Sequence, residues 1–76
     1  MTIEQEKNIF CENIKQLRLR NRLSKKEMAK ILNVGIKTIN VIESGTIPKR
    51  LTVKILIIIQ DRFSITPSSL FSSLIF

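Results

Sequence analysis

The chain has no histidine, tryptophan or tyrosine, and only one cysteine, two glycines and two prolines in 76 residues. Without histidine, Cys11 has no imidazole to activate it as a nucleophile, and one cysteine alone cannot hold zinc. A lone cysteine forms no internal disulfide, which fits a reducing compartment. Cys11 stands in IFCENIKQL at helical spacing from apolar residues, the setting of a small buried hydrophobe. Acids are scarce too: beyond residue 30 only Glu43 and Asp61 remain, and no glycine-rich loop for a nucleotide phosphate is present. No catalytic, metal or cofactor-binding residue is therefore expected, and the chain does not read as an enzyme. Long apolar runs are missing as well. The longest, Ile55 to Ile59, falls far short of the roughly 20 residues a bilayer span requires, and the opening residues lack the pattern of a secretory leader. A soluble, cytoplasmic protein with no membrane partner is the expectation.

What is present is basic charge. Thirteen Lys and Arg against six Asp and Glu give a formal charge of +7. The excess is concentrated in Lys15, Arg18, Arg20, Arg22, Lys25, Lys26 and Lys30, opposed in that stretch only by Glu12 and Glu27. A polyanion is the natural partner of such a cluster; the plainer alternative is a solvated basic face. At this length residues 1–76 form one domain, burying only roughly 60 % of its unfolded surface, so a compact core and often a partner subunit stabilise it.

Periodicity and punctuation predict helices throughout. Ile9, Phe10, Ile14, Leu17 and Leu19 recur at threes and fours from about Gln5 to Arg20, an amphipathic first helix that should stop where Asn21 turns left-handed. In LSKKEMAKILNV, Ser24 and Glu27 have capping-box spacing, Leu23 is in staple position against Met28, and Asn33 tolerates the left-handed turn at the end. A third helix follows from Ile36 to about Ser44, with Gly35 as N-cap and Gly45 closing it. Its periodicity puts Ile36, Lys37, Asn40, Val41 and Ser44 on one side and Ile39 and Ile42 on the other. Pro48 forbids helix through TIPKR. VKILIII is β-branched enough for a buried strand; its length and the polar ends from Thr52 to Arg62 favour a fourth helix capped by Thr52. A last segment, residues 66–76, starts at Thr66-Pro67 and runs through Leu70 and Phe71.

The stretch from Lys25 to Ser44, set between Leu23-Ser24 and Gly45, resembles the helix-turn-helix of the phage repressor and Cro family, also called Xre-like. It carries the family's small residue at Ala29, a turn residue at Asn33, a hydrophobic Val34, the packing residues Ile39 and Ile42, and the closing Glu43-Ser44-Gly45. The likeness extends to about Ile9 and Phe71. It implies an all-α, five-helix, repressor-like DNA-binding domain with a central helix-turn-helix, acting as a transcriptional regulator, in all expectation a repressor, on double-stranded DNA.

On this resemblance the third helix enters the major groove, which is about 12 Å wide and admits one helix. Ile36, Lys37, Asn40 and Val41 then face base edges, while Lys25, Ser44, Thr46 and Lys49 approach phosphates. Arg18 and Glu43 correspond to a partly buried ion pair with a structural role. The chain departs from the family at Lys25, often glutamine, at Gly35, often serine or threonine, and at Ile36 and Val41, often arginine, glutamine or serine. Asn40 can pair bidentately with adenine and Lys37 can donate to guanine, whereas Ile36 and Val41 offer thymine methyls only apolar contact. A protein surface would suit those two residues equally, so the rival expectation is an interaction module of the same fold, antitoxin-like or anti-repressor, with little operator binding. A homodimer is expected because one short helix reads few bases, with the apolar tail Leu70, Phe71, Leu74, Ile75 and Phe76 as its interface. No small-molecule effector is evident.

Overall fold

A computed structural model of the chain describes residues 3–48 and 51–74. Among them are five helices and no strand: α1 Ile3–Arg20, α2 Lys25–Leu32, α3 Ile36–Glu43, α4 Val53–Phe63 and α5 Pro67–Ser72. α1 lies against α3 and α5, α2 against α3 and α4, and α4 against α5.

Each helix contributes one apolar stripe to a shared core. On α1 the stripe is Phe10, Ile14 and Leu17, on α2 Met28, Ala29 and Leu32, on α3 Ile39 and Ile42, on α4 Ile55 and Ile59, and on α5 Leu70, all buried. These spacings of three and four residues stack side chains on one face of a helix, and burying them is the main favourable term in folding. Leu19 does not join them. Two residues beyond Leu17 it points away from the core and is exposed. Asn13 is a polar member of the α1 stripe, and its Nδ2 donates to the carbonyls of Leu70 at 3.0 Å and Ser73 at 2.9 Å. Orphan carbonyls at the end of α5 thereby find a donor inside the core.

The turns follow from caps. α1 ends at Arg20 as expected, but the left-handed residue after it is Arg22, at φ 55°, and not Asn21. The Leu23 amide donates back to the Arg18 carbonyl at 3.0 Å and the Arg22 amide to Leu19 at 3.1 Å. This six-to-one closure sets apolar Leu23 just past the turn, where it packs on the core. Asn21 instead spends its Nδ2 on the Leu17 carbonyl at 2.8 Å. At α2 the capping box is complete, the Glu27 amide donating to Ser24 Oγ at 3.0 Å and the Ser24 amide to Glu27 Oε1 at 2.9 Å. Asn33 at φ 57° and Gly45 at φ 99° close α2 and α3, the Val34 amide donating to Ala29 at 2.9 Å and the Thr46 amide to Val41 at 3.2 Å.

VKILIII is helical, since among the described residues it has no strand to pair with. Thr52 precedes α4 in extended geometry, but its hydroxyl makes no cap bond, contrary to expectation; only its carbonyl is used, by the Ile55 amide at 3.1 Å. Thr66 does cap α5, accepting from the Ser69 amide at 3.2 Å.

The tail corrects the expected interface at one residue, Leu70. Leu70 is fully buried, and the Phe71 ring stacks on Phe10 with centroids 4.7 Å apart and planes 7° from parallel. Leu70 is therefore spent inside the protomer, while Phe71 is half-buried where α5 packs on α1. Leu74 stays 60 % exposed and lines, with Ile9 and Cys11, a concavity of about 440 Å³ beside the end of α3. Ile75 and Phe76 lie outside the described residues.

Candidate nucleic-acid interface

α3 owes its orientation to an apolar inner face and a polar clamp at its far end. Ile39 and Ile42 are fully buried. Glu43 Oε2 accepts from Arg18 Nε at 2.7 Å and its Oε1 from Nη2 at 3.0 Å, with side chains 13 % and 7 % exposed for Arg18 and Glu43. The remaining Arg18 Nη1 donates to the Leu23 carbonyl at 3.0 Å. One guanidinium therefore joins α1, the α1–α2 turn and the end of α3 by charge-assisted bonds, the geometry a planar fork favours. The bond to Glu43 also raises the Arg18 pKa further.

With one side so fixed, the other side of α3 must face outward. Ile36 is 47 % and Val41 36 % exposed, and Lys37, Asn40 and Ser44 are exposed beside them. No carboxylate competes there: Glu43, the one acid on α3, is turned inward to Arg18. Gly35 supplies no side-chain cap, so the first amides of α3 are left to other acceptors.

Among the basic residues, Lys25 and Lys26 occupy the first turn of α2 and are exposed. A helix N-terminus disfavours cations, so helix stability does not explain them. Lys25 Nζ donates to Asn40 Oδ1 at 3.0 Å, which joins a residue expected at phosphate to one expected at a base. Nothing in the sequence pattern indicated that contact, because the partners lie on different helices and only the α2–α3 crossing brings them together. Ser44 Oγ donates to the Val41 carbonyl at 2.7 Å, so its one proton is engaged within the helix. Thr46 is exposed, and Lys49 lies outside the described residues.

No group of acids or cysteine that could hold a metal occurs among the described residues. Cys11 is buried, and burial pushes its thiol pKa up, away from reactivity. No helix of the described residues is long and apolar enough to cross a membrane.

Neither a search of curated proteins nor one of solved structures finds a match. The profile of a helix-turn-helix family, HTH_3, matches residues 14–70, from Ile14 within α1 to Leu70 within α5. With that match over most of its length, the chain belongs to the Xre/Cro-like helix-turn-helix family of DNA-binding regulators.

Proposed function

We propose that the protein is a sequence-specific transcriptional repressor that inserts α3 into the major groove of double-stranded DNA. On this reading Ile36, Lys37, Asn40 and Val41 meet base edges, and Lys25, Thr46 and Lys49 are assigned to phosphates, as is Ser44 once its hydroxyl leaves the Val41 carbonyl. The outer face of α3 carries this reading. It joins donors to apolar side chains without a carboxylate, and its opposite side is locked in the core. That mixture suits a groove floor of acceptors and thymine methyls between two rows of phosphates.

The working unit is a homodimer, since two half-sites about one helical turn apart double the contacts of so short a helix. A second copy of the chain fits the outer face of α4, where Val53 and Ile57 are exposed one turn apart with Lys54 and Asp61 exposed along the same side. An antiparallel pair of α4 helices centred on Ile57 brings Lys54 level with the partner's Asp61, so apolar contact and charge are satisfied together.

Selection of bound duplexes from a random pool tests the assignment, with a palindrome as the expected product. The exposed Ile36 and Val41 favour a second reading, a protein-interaction module. Salt separates the two: for DNA binding, log K falls with log salt by about 0.9 per phosphate contacted, and a flat response would favour the interaction module.

A further inference from the structure

We propose that Lys25 and Asn40 act as one reading unit that presents only hydrogen-bond donors to the groove, selecting guanine where Asn40 alone would select adenine. The inference rests on α3 being the groove helix, and it moves Lys25 from the phosphate row to the base edge beside Asn40.

An asparagine amide carries one acceptor oxygen and one donor nitrogen, which is why it matches adenine, with its N7 acceptor and N6 amino donor. Here one lone pair of the oxygen is taken, since Lys25 Nζ donates to Asn40 Oδ1 at 3.0 Å, and a base amino group approaching the second lone pair would meet the ammonium protons beside it. What remains free on the pair is the Nδ2 amino group and two ammonium protons. Guanine offers two acceptors, N7 and O6, to meet them. Adenine would set its N6 amino protons against the ammonium, donor against donor, so the pair disfavours the base that its asparagine would otherwise choose.

The surroundings leave the pair intact. The two carboxylates of the motif that could draw Lys25 away are engaged elsewhere, Glu27 with Ser24 and Glu43 with Arg18. Lys37 is exposed one turn before Asn40 on α3 and adds a further donor. Lys25 stands at the first position of α2, where the helix dipole repels a cation and the amide oxygen is a compensating acceptor.

The test is selection from a random duplex pool with the full chain, its Lys25→Met variant and its Asn40→Ala variant, with thermal melting to show that each folds. The proposal expects guanine at one base pair of each half-site for the parent, and a shift of about tenfold in the guanine-to-adenine ratio at that pair for Lys25→Met. Asn40→Ala should lose the preference there alone. A second measurement uses the parent only: a guanine analogue with carbon in place of N7 at that pair should weaken binding. If the parent selects adenine at the pair relaxed by Asn40→Ala, the donor-only unit is wrong. It is equally wrong if Lys25→Met weakens all duplexes alike with preferences intact, Lys25 then being a phosphate ligand alone. A parent that selects no sequence would overturn the groove reading as well, which distinguishes the two failures.

Discussion

α3 and α4 both expose apolar side chains on a domain small enough to need its grease inside. On α3, Ile36 and Val41 are separated by Lys37 and Asn40, and the helix is held by buried isoleucines on one side and by the Arg18–Glu43 clamp at its end. On α4, Val53 and Ile57 form an unbroken stripe, and the helix is held by apolar packing through Ile55 and Ile59. Interleaved donors and methyl-sized contacts are what a groove floor requires, while a stripe flanked by one cation and one anion is what a second copy of the same helix requires. On the function proposed above, equal hydrophobicity serves two different surfaces, and the polar neighbours decide which. Removing the polar anchor of the first helix, the apolar anchor of the α4–α5 side, and then each exposed stripe should separate the two.

Arg18→Ala should give the largest effect. It leaves Glu43 nearly buried without a partner, a loss of up to ~3–5 kcal/mol for breaking a buried pair, reduced to the extent that water reaches the clamp. Denaturant unfolding measures it. An unchanged midpoint together with lost DNA affinity would instead make Arg18 a DNA contact.

Leu70→Ala should follow at ~2–5 kcal/mol, the cost of a buried leucine and its cavity. Its interest lies in what should not change: at a temperature where the variant is still folded, sedimentation should report the parent's oligomeric state. Loss of self-association without loss of stability would return Leu70 to an interface.

Ile57→Lys reverses that pattern. An exposed substitution away from the core should shift stability by no more than about 0.5 kcal/mol, yet a cation at the centre of the α4 stripe should leave the protein monomeric at concentrations where the parent is dimeric. A variant that still dimerises would remove α4 from the interface.

The helix boundaries legible in the sequence were those written by capping residues and left-handed turns. Ser24 with Glu27, Asn33, Gly45 and Thr66-Pro67 each favour a local geometry that needs no tertiary partner, so the limits of α2, the end of α3 and the start of α5 could be read directly. α1 was legible in phase and in its last residue, Arg20, but not in which residue turns left-handed after it, because that residue is chosen by where Leu23 must pack, and Arg22 accepts a conformation its side chain does not favour. VKILIII is apolar around most of the helix, so it carries no phase, and only the packed structure distinguishes inward Ile55 and Ile59 from outward Val53 and Ile57. At Leu70 the tail misled for the same reason, since its burial inside the protomer is not revealed by composition. The candidate site divides similarly. The outward face of α3 followed from its periodicity, whereas the Lys25–Asn40 bond depends on how two helices cross.

The smallest effect concerns how α2 begins. Glu27 is fully exposed, yet its carboxyl is held below the usual range, first by the hydrogen bond from the Ser24 backbone amide and then by the Ser24 side chain. Its charged form is therefore favoured in the folded state, and the stability it contributes is complete above the ordinary glutamate pKa and disappears as pH falls through the lowered folded value. Glu27→Gln keeps an oxygen for the Ser24 amide and removes only the charge. The parent should melt slightly higher than Glu27→Gln at neutral pH, with the gap closing in acid. Ser24→Ala removes the cap itself and should cost ~0.5–2 kcal/mol, a part of it fading in acid because the Ser24 side chain also lowers the Glu27 pKa, whereas Thr52→Ala at α4, whose hydroxyl makes no cap bond, should cost far less. Thermal midpoints of the four proteins across the acidic range decide the matter. A Glu27→Gln gap that persists unchanged in acid would mean that the carboxylate charge contributes nothing to the start of α2, and that the neutral hydrogen bonds of the box suffice.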